Sequence, residues 1–131
     1  MAQPSTYEQY LLELINAERA KVGAQPLAFD GDLNEASEGH SQWMIGADTF
    51  SHTGSGGSSA GQRMTAAGYA FTGSWAWGEN IAYADTLRRV EQLWMQSYHH
   101  RVNLLNPSFR SAGIGVARAK GWLWVTLQLY G

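Results

Sequence analysis

The C-terminal sequence Trp122-Leu123-Trp124-Val125-Thr126-Leu127-Gln128-Leu129-Tyr130 is the clearest β-strand of this 131-residue chain. Its side chains alternate between two faces, as they do along a strand. One face is aliphatic, with Leu123, Val125, Leu127 and Leu129, and the other carries Trp122, Trp124, Thr126, Gln128 and Tyr130. We expect both faces, the aromatic one included, to be largely covered. A sheet covered on both faces needs a helical layer on each side, which predicts a three-layer α-β-α sandwich.

Two helices are predicted in the first third of the chain. Ser5-Thr6-Tyr7-Glu8 has the pattern of a capping box, and Gly23 is a stop signal. Between them, apolar residues recur at helical spacing: Tyr7, Leu11, Leu14, Ile15 and Val22. Pro26 to Phe29 is predicted to be a connector. Asp30 or Asp32 then caps a second helix, whose apolar face comprises Leu33, Ala36, His40 and Met44.

The rest of the chain adds helices and then strands. Gly54 to Ser59 is predicted as a flexible loop, and Ala60 to Ala67 as a short helix closed by Gly68. A long helix begins near Asp85-Thr86, turns Leu87, Val90, Leu93 and Trp94 inward, and continues into Ser97-Tyr98-His99-His100 before the break at Pro107. Gly113 to Ala117 predicts a strand that leads to a turn at Lys120-Gly121, and the segment around Glu79 predicts another.

These elements predict an α+β fold with a small, mainly antiparallel central sheet. No internal repeat or second domain is visible, so residues 5–131 are expected to form one domain. Residues 1–4 are expected to be a disordered start or a cloning remnant. The chain is long enough to bury a core without covalent staples, and it contains no cysteine.

Composition excludes several classes of function. The formal net charge is −2 and the arginines are scattered, so the chain has no basic footprint for nucleic acid. No apolar run is long enough for a transmembrane segment, and no signal peptide is visible. The sequence is therefore expected to be either a cytosolic protein or a mature domain from a longer precursor.

Glu79 is the most unusual charged residue of the chain. It lies within Trp77-Gly78-Glu79-Asn80-Ile81-Ala82-Tyr83, an otherwise largely apolar segment. A buried carboxylate is costly unless it is hydrogen-bonded or paired, so the fold is expected to bring it partners from elsewhere in the chain.

Several motifs, in order along nearly the whole chain, resemble the bacterial branch of the CAP superfamily, which comprises cysteine-rich secretory proteins, antigen 5 and pathogenesis-related 1 proteins. They are Leu14-Ile15-Asn16-Ala17-Glu18-Arg19, Pro26-Leu27, Phe50-Ser51-His52-Thr53, Gly78-Glu79-Asn80-Ile81-Ala82, His100-Arg101-Val102-Asn103-Leu104-Leu105-Asn106-Pro107 and Gly113-Ile114-Gly115-Val116. The resemblance implies an α-β-α sandwich, usually exported, with a cleft lined by two histidines and two acids. In some members this cleft holds a divalent metal.

By this resemblance, His52, Glu79 and His100 match three of the four cleft residues. The fourth position, three residues after Trp94, is Ser97 where many eukaryotic members have Glu, and Glu91 is an alternative acid one turn earlier. The remaining His52, His100 and Glu79 are a plausible ligand set for Zn²⁺ or another divalent metal, with water completing the coordination.

Structural roles compete with each of these assignments. The two cleft histidines are equally suited to hydrogen-bond Glu79, and His40 is expected to be a core histidine because its helical neighbours are apolar. His99 points about 100° away from His100 on a helix, so only His100 is assigned to the cleft. The tryptophans suit stacking on sugar rings, but core and cleft-wall positions are the first expectation. A triad of Ser59, Asp85 and His100 is rejected because its G-x-S-x-G motif follows a Gly/Ser loop rather than a buried strand.

Three functions follow from the sequence. The first is a secreted, extracellular or cell-surface binding module, not an enzyme, whose cleft takes a divalent metal or a small ligand. The second is a metal-assisted hydrolase in which Glu79 acts as the base. The third is an interaction module of a larger surface protein, with the Gly54 to Ser59 loop contacting a protein partner.

Overall fold

The computed structural model describes residues 4–68 and 76–131. Its helices are α1 (Thr6–Lys21), α2 (Gly31–Ala47), α3 (Ala60–Ala66), α4 (Leu87–Gln96) and α5 (Tyr98–Leu105). Its strands are β1 (Ala28–Phe29), β2 (Trp77–Ala84), β3 (Ser111–Ala119) and β4 (Trp122–Tyr130), and a turn of 3₁₀ helix covers Ser55–Gly57. The predicted disordered start falls on residues 1–4, of which 1–3 lie outside the described residues. None of the described helices is long and apolar enough to cross a membrane.

The four strands form one sheet in the order β1-β3-β4-β2. The pairs β3–β4 and β2–β4 are antiparallel, whereas β1 pairs with β3 in parallel over two residues. The predicted α+β fold with a mainly antiparallel sheet is confirmed, and the sheet is mixed. The connector predicted for Pro26 to Phe29 is partly wrong because Ala28 N donates to Arg110 O and Asp30 N donates to Ala112 O, which adds β1 to the sheet edge.

Helices cover both faces of the sheet, as a three-layer sandwich requires. On one face, α2 lies against β3 and β4, where Ser37 and Ser41 donate to the carbonyl oxygens of Gly113 and Gly115. On the other face, α1, α4 and α5 bury the main apolar core, which includes Leu11, Ile15, Val90, Trp94, Leu104, Ile114, Val125, Leu127 and Leu129. In both central strands, β3 and β4, one face therefore contacts α2 and the other contacts the layer of α1, α4 and α5.

Glycines in β3 allow α2 to lie directly on the sheet. A Cβ atom at Gly113 would stand 2.0 Å from the backbone carbon of Leu33, and one at Gly115 would stand 2.3 Å from the backbone of Ser37 and Glu38. No side chain fits there without moving the helix. The Gly113-Ile114-Gly115 motif is thus the sequence signal for this close contact between helix and sheet.

Two other motifs tie the helices to neighbouring segments. Asn16 of α1 exchanges hydrogen bonds with the backbone of Leu27 in both directions. Arg19, which is fully buried, donates to four backbone carbonyls: those of Gln25, Leu104, Asn106 and Phe109. The Asn16-to-Arg19 motif therefore fastens α1 to the segment that joins α5 to β3.

The first two helices begin at the predicted caps, but the prediction of which α1 residues are buried is corrected. Ser5 forms the capping box with Glu8, and Asp30 caps α2. Tyr7 and Val22, predicted on the inner face of α1, are exposed because they lie at the two ends of the helix, beyond the buried Leu11 and Ile15. Glu8 is buried instead, and its carboxylate accepts from Val116 N.

The single helix predicted from Asp85 to His100 is wrong, because the chain breaks at Ser97. Ser97 has φ −102° and ψ 125°, an extended conformation that ends α4 and begins α5. Its hydroxyl lies 2.9 Å from Nδ1 of His100. Ser97 is the N-cap residue of α5, but its hydroxyl bonds the His100 side chain and not the backbone of the helix.

The aromatic face of β4, which was expected to be largely covered, is exposed at the end that carries Trp122. Thr126 and Gln128 are fully buried under the α2 side, whereas Trp122 remains 41% exposed. The difference arises because α2 ends at Ala47, beside the end of the sheet that carries Trp122.

Candidate functional site

Glu79 lies at the centre of a buried polar cluster. Its side chain is 2% exposed. His52 Nδ1 lies 2.9 Å from Oε1, and Oε2 accepts from Arg63 Nη2 at 2.6 Å and from Gln128 Nε2 at 2.9 Å. Both carboxylate oxygens therefore have partners, and three different segments of the chain supply them.

The fold positions each member of this cluster. The register of β2 and β4 places Gln128 directly opposite Glu79. Arg63 comes from α3, and its Nη1 also donates to the carbonyl oxygens of His52 and Ser58. Arg63 thus holds both the carboxylate and the loop that carries His52. That loop includes the Gly54 to Ser59 segment, in which Ser55–Gly57 form a turn of 3₁₀ helix.

The electrostatics of the cluster keep Glu79 ionised. Burial acts to raise the pKa of its carboxyl, but the hydrogen bonds from His52 and Gln128 and the charge of Arg63 outweigh that effect. The pKa of Glu79 consequently lies below its ordinary value. A carboxylate that is stabilised in its charged form by an arginine is a weak proton acceptor.

Sequence reasoning missed Arg63 and Gln128 as partners of Glu79. Gln128 carried a usable signal, because it lies on the polar face of a strand that was itself predicted to be in the sheet. Arg63 carried none, since its position depends on how a seven-residue helix packs after the His52 loop.

His100 does not join the Glu79 cluster. Its Nδ1 hydrogen-bonds the Ser97 hydroxyl at 2.9 Å, and its backbone carbonyl accepts from Asn80 Nδ2 at 3.0 Å. Burial lowers the pKa of His100, and the nearby His52 and His99 lower it further. The ring is therefore neutral at neutral pH.

An apolar cavity of about 430 Å³ lies next to His100, at the outer edge of β2. Its polar lining residues are Ser97 and His100, and its other walls are Phe50, Ile81, Ala82, Tyr83, Leu93 and Trp94. A smaller cavity of about 220 Å³ is lined by His52, Thr53, Ser59, Ala60, Trp77 and Glu79. The predicted cleft residues are thus divided between two cavities.

The residues present do not fit a divalent metal. In residues 4–68 and 76–131, no group of three or more His, Asp or Glu side chains is arranged to hold an ion. His52 lies against one carboxylate oxygen of Glu79, and the Arg63 cation donates to the other. His100 bonds Ser97 instead of joining them.

The remaining candidates from the sequence lie elsewhere. Glu91 neighbours Glu18 of α1, so it does not replace the missing cleft acid. Burial and this neighbour raise the pKa of Glu91 to about 7. His40 is buried in the core as expected, with Nε2 2.7 Å from Ser51 O and its ring stacked on Trp43. Ser59 caps α3 by accepting from Gln62 N.

The family model for CAP, the cysteine-rich secretory protein family, matches residues 12–129. The chain belongs to this family. It is 37% identical to the uncharacterized protein YkwD of Bacillus subtilis (strain 168) over 128 residues, which cover 97% of this chain and 48% of YkwD. The CAP fold described above agrees with this assignment.

Solved structures share the fold. An extracellular protein containing an SCP domain from Bacillus anthracis str. Ames superposes with a TM-score of 0.81 at 29% identity, over 94% of this chain and 39% of that one. The structure of NaASP2 with Zn²⁺ has a TM-score of 0.62 at 16% identity and covers 96% of this chain and 82% of that one. The present chain spans about half the length of YkwD and less of the B. anthracis protein.

Proposed function

We propose that this CAP domain is a secreted, non-enzymatic binding module whose cleft holds a small, largely apolar ligand beside Ser97 and His100. The cavity of about 430 Å³ at the edge of β2 carries this proposal. Its volume lies within the range of small-molecule sites, which combine apolar walls with a few polar groups that orient the ligand. Secretion is inferred from the extracellular B. anthracis relative.

The polar groups of the cavity indicate what kind of ligand it takes. His100 is neutral at neutral pH because its pKa is lowered by burial first and by nearby histidines second. Among the residues that the structure describes, none with a carboxylate lines this cavity. A ligand with an apolar body and an uncharged, hydrogen-bonding head matches both properties.

The state of Glu79 supports binding over catalysis. A general base must be free to take a proton, and here both oxygens accept hydrogen bonds while Arg63 favours the ionised form. Among the described residues, neither a free base nor an ion site therefore supports the metal-assisted hydrolase. The role of an interaction module in a larger surface protein stays a prediction.

A fluorescence titration with N-phenyl-1-naphthylamine, an uncharged apolar probe, tests the proposal. We expect saturable binding that weakens at least about tenfold in Ser97→Phe, because the new ring fills the cavity. Gln92→Phe is the matched control, since Gln92 is exposed on α4 and does not line the cavity. Absence of binding, or equal binding by the two variants when both are folded, would overturn the proposal.

Zinc and turnover are tested separately. NaASP2 shares only the fold at 16% identity, but its structure with Zn²⁺ makes calorimetric titration with this ion the relevant experiment. We expect no binding heat. Zinc binding that is lost in both His52→Ala and His100→Ala would contradict the absence of a metal role. Turnover of a peptide and ester panel that disappears in folded Glu79→Gln would contradict the non-enzymatic assignment.

A further inference from the structure

Three aromatic side chains form a cluster on the α2 face of the sheet, several residues along β2 from Glu79. Tyr83 of β2 stacks on Trp122 with ring centroids 4.8 Å apart and packs on Trp124 at 4.6 Å. Trp122 and Trp124 lie two residues apart on β4, so both flank Tyr83 on the same face. We call Tyr83, Trp122 and Trp124 the aromatic platform.

The platform faces solvent and borders a cavity. Trp122 is 41% and Tyr83 is 43% exposed, although aromatic residues of this size are usually more deeply buried. A cavity of about 470 Å³ lies over the platform, between the end of α2 and the β3–β4 turn. Its other lining residues are Ile45, Asp48, Ala119 and Lys120. The exposed rings therefore belong to a concave surface.

Two opposite charges border this cavity. Asp48 and Lys120 are exposed, and neither side chain forms an ion pair with another residue in the described ranges. Together they offer a hydrogen-bond acceptor and a hydrogen-bond donor while adding no net charge to the site.

Both residues also have an uncommon backbone conformation. Asp48 has φ 50° and Lys120 has φ 53°, and they are the non-glycine residues with positive φ among those described. Asp tolerates this conformation, whereas Lys adopts it at a cost in conformational energy. In the hairpin turn, the position before Gly121 would favour Asn or Gly. The turn therefore has a lysine, with its ammonium group, at a position where asparagine or glycine would fit the backbone better.

We propose that the aromatic platform is a saccharide-binding site in which sugar rings pack on Trp122 and hydroxyl groups bond Asp48 and Lys120. The apolar C–H face of a pyranose ring packs on an aromatic face, and its hydroxyls both donate and accept hydrogen bonds. A neutral saccharide thus satisfies the rings, the carboxylate and the ammonium at once. This site is separate from the Ser97–His100 cavity, although Tyr83 borders both.

Other ligands of aromatic surfaces match the two charges less well. A proline-rich peptide packs on aromatic grooves and provides carbonyl acceptors for Lys120, but proline has no N–H to donate to Asp48. A quaternary ammonium ion is attracted by the rings and Asp48, but it is repelled by Lys120. The pair Asp48 and Lys120 therefore favours an uncharged polyhydroxyl ligand.

Titrations followed by NMR, with the indole N–H signals assigned, test the site. The probes are cellohexaose and the hexamer of β-1,4-linked N-acetylglucosamine. Decaproline and choline are titrated separately, because they represent the two alternative classes of ligand. We expect at least one saccharide to shift the Trp122 indole signal in a saturable manner. The affinity should fall about tenfold or more in Trp122→Ala and about threefold or more in Lys120→Asn.

The variants separate binding from folding. Lys120→Asn removes the ammonium while suiting the turn, so its thermal stability should not fall. Trp77→Ala is the matched control, since Trp77 is also an exposed tryptophan of the sheet but lies outside this cavity. Tyr83 is left unchanged so that the Ser97–His100 cavity is not altered.

The proposal fails if neither saccharide shifts the Trp122 signal at millimolar concentration. It also fails if Lys120→Asn and Trp122→Ala bind the saccharide as the wild type does, or if decaproline or choline binds and the saccharides do not. Loss of N-phenyl-1-naphthylamine binding in Ser97→Phe without a change in saccharide affinity would confirm that the two sites are independent.

Discussion

Arg63 Nη2 lies 2.6 Å from Glu79 Oε2, and the two side chains are 11% and 2% exposed. Arg63 of α3 thus forms an ion pair with Glu79 of β2, the carboxylate that the family resemblance assigns to the cleft. The charge of Glu79 is compensated within the protein. This pairing explains how the glutamate stays buried and charged in this fold.

Removal of Arg63 should destabilise the protein strongly. Arg63→Met leaves Glu79 buried without its cation, which we expect to cost about 3 to 5 kcal/mol of unfolding free energy. Urea unfolding at pH 7 measures the loss. Arg89→Met, an exposed arginine of α4, should change stability by about 0.5 kcal/mol or less. A loss below about 1 kcal/mol in Arg63→Met would show that the pair is not important for folding.

Acid should weaken the protein through Glu79. Its folded pKa is depressed below the ordinary 4.5, so the stabilisation is complete above that pH and is lost as pH falls through the folded value. Unfolding free energies measured from pH 7 down to pH 3 should therefore decline more steeply for the wild type than for Glu79→Gln. Parallel curves for the two proteins would contradict the depressed pKa.

Glu38 should produce the opposite dependence near neutral pH. Burial first, and the neighbouring Glu8 second, raise the pKa of Glu38 from 4.5 to about 7. A raised folded pKa gives stabilisation that is complete below pH 4.5 and is lost as pH rises through about 7.

Glu38→Gln removes this titration and should be more stable than the wild type at pH 8. Thermal unfolding between pH 5 and pH 8 measures the effect, which should appear as a flatter dependence of the melting temperature on pH. Glu91→Gln should flatten the same range, because burial and Glu18 also raise the pKa of Glu91 to about 7. A Glu38→Gln curve as steep as that of the wild type would refute the assignment.

The layers of the fold were predictable because they follow from side-chain periodicity. The alternation in β4 and the capping signals at Ser5 and Asp30 depend only on residues close in sequence. β1 and the break at Ser97 were missed for the opposite reason. β1 exists through backbone pairing with β3, about eighty residues away, and the break depends on a serine that is equally compatible with a cap or a helix.

The sequence predicted only the part of the site that follows from the need of a buried Glu79 for partners. Burial of Glu79 demanded partners, and His52 was foreseen as one of them by family resemblance. His100 was expected nearby but bonds Ser97, because the chain turns at that serine. The exposed platform was also missed, since the alternation in β4 gives the face of Trp122 but not the length of the helix that covers it.

The contact between α2 and β3 gives a sharp test of the fold. An alanine Cβ at Gly113 would lie 2.0 Å from the backbone of Leu33, and neither strand nor helix backbone has a flexible end that can yield. Gly113→Ala should therefore cost roughly 3 kcal/mol or more, at or above the upper end for overpacked cores. Gly39→Ala on α2 is the matched control, because its Cβ meets nothing within 4 Å. Alanine there should stabilise the helix by about 0.5 to 1 kcal/mol. Urea unfolding of both variants measures these changes, and a Gly113→Ala protein as stable as Gly39→Ala would show that α2 does not lie directly on the sheet.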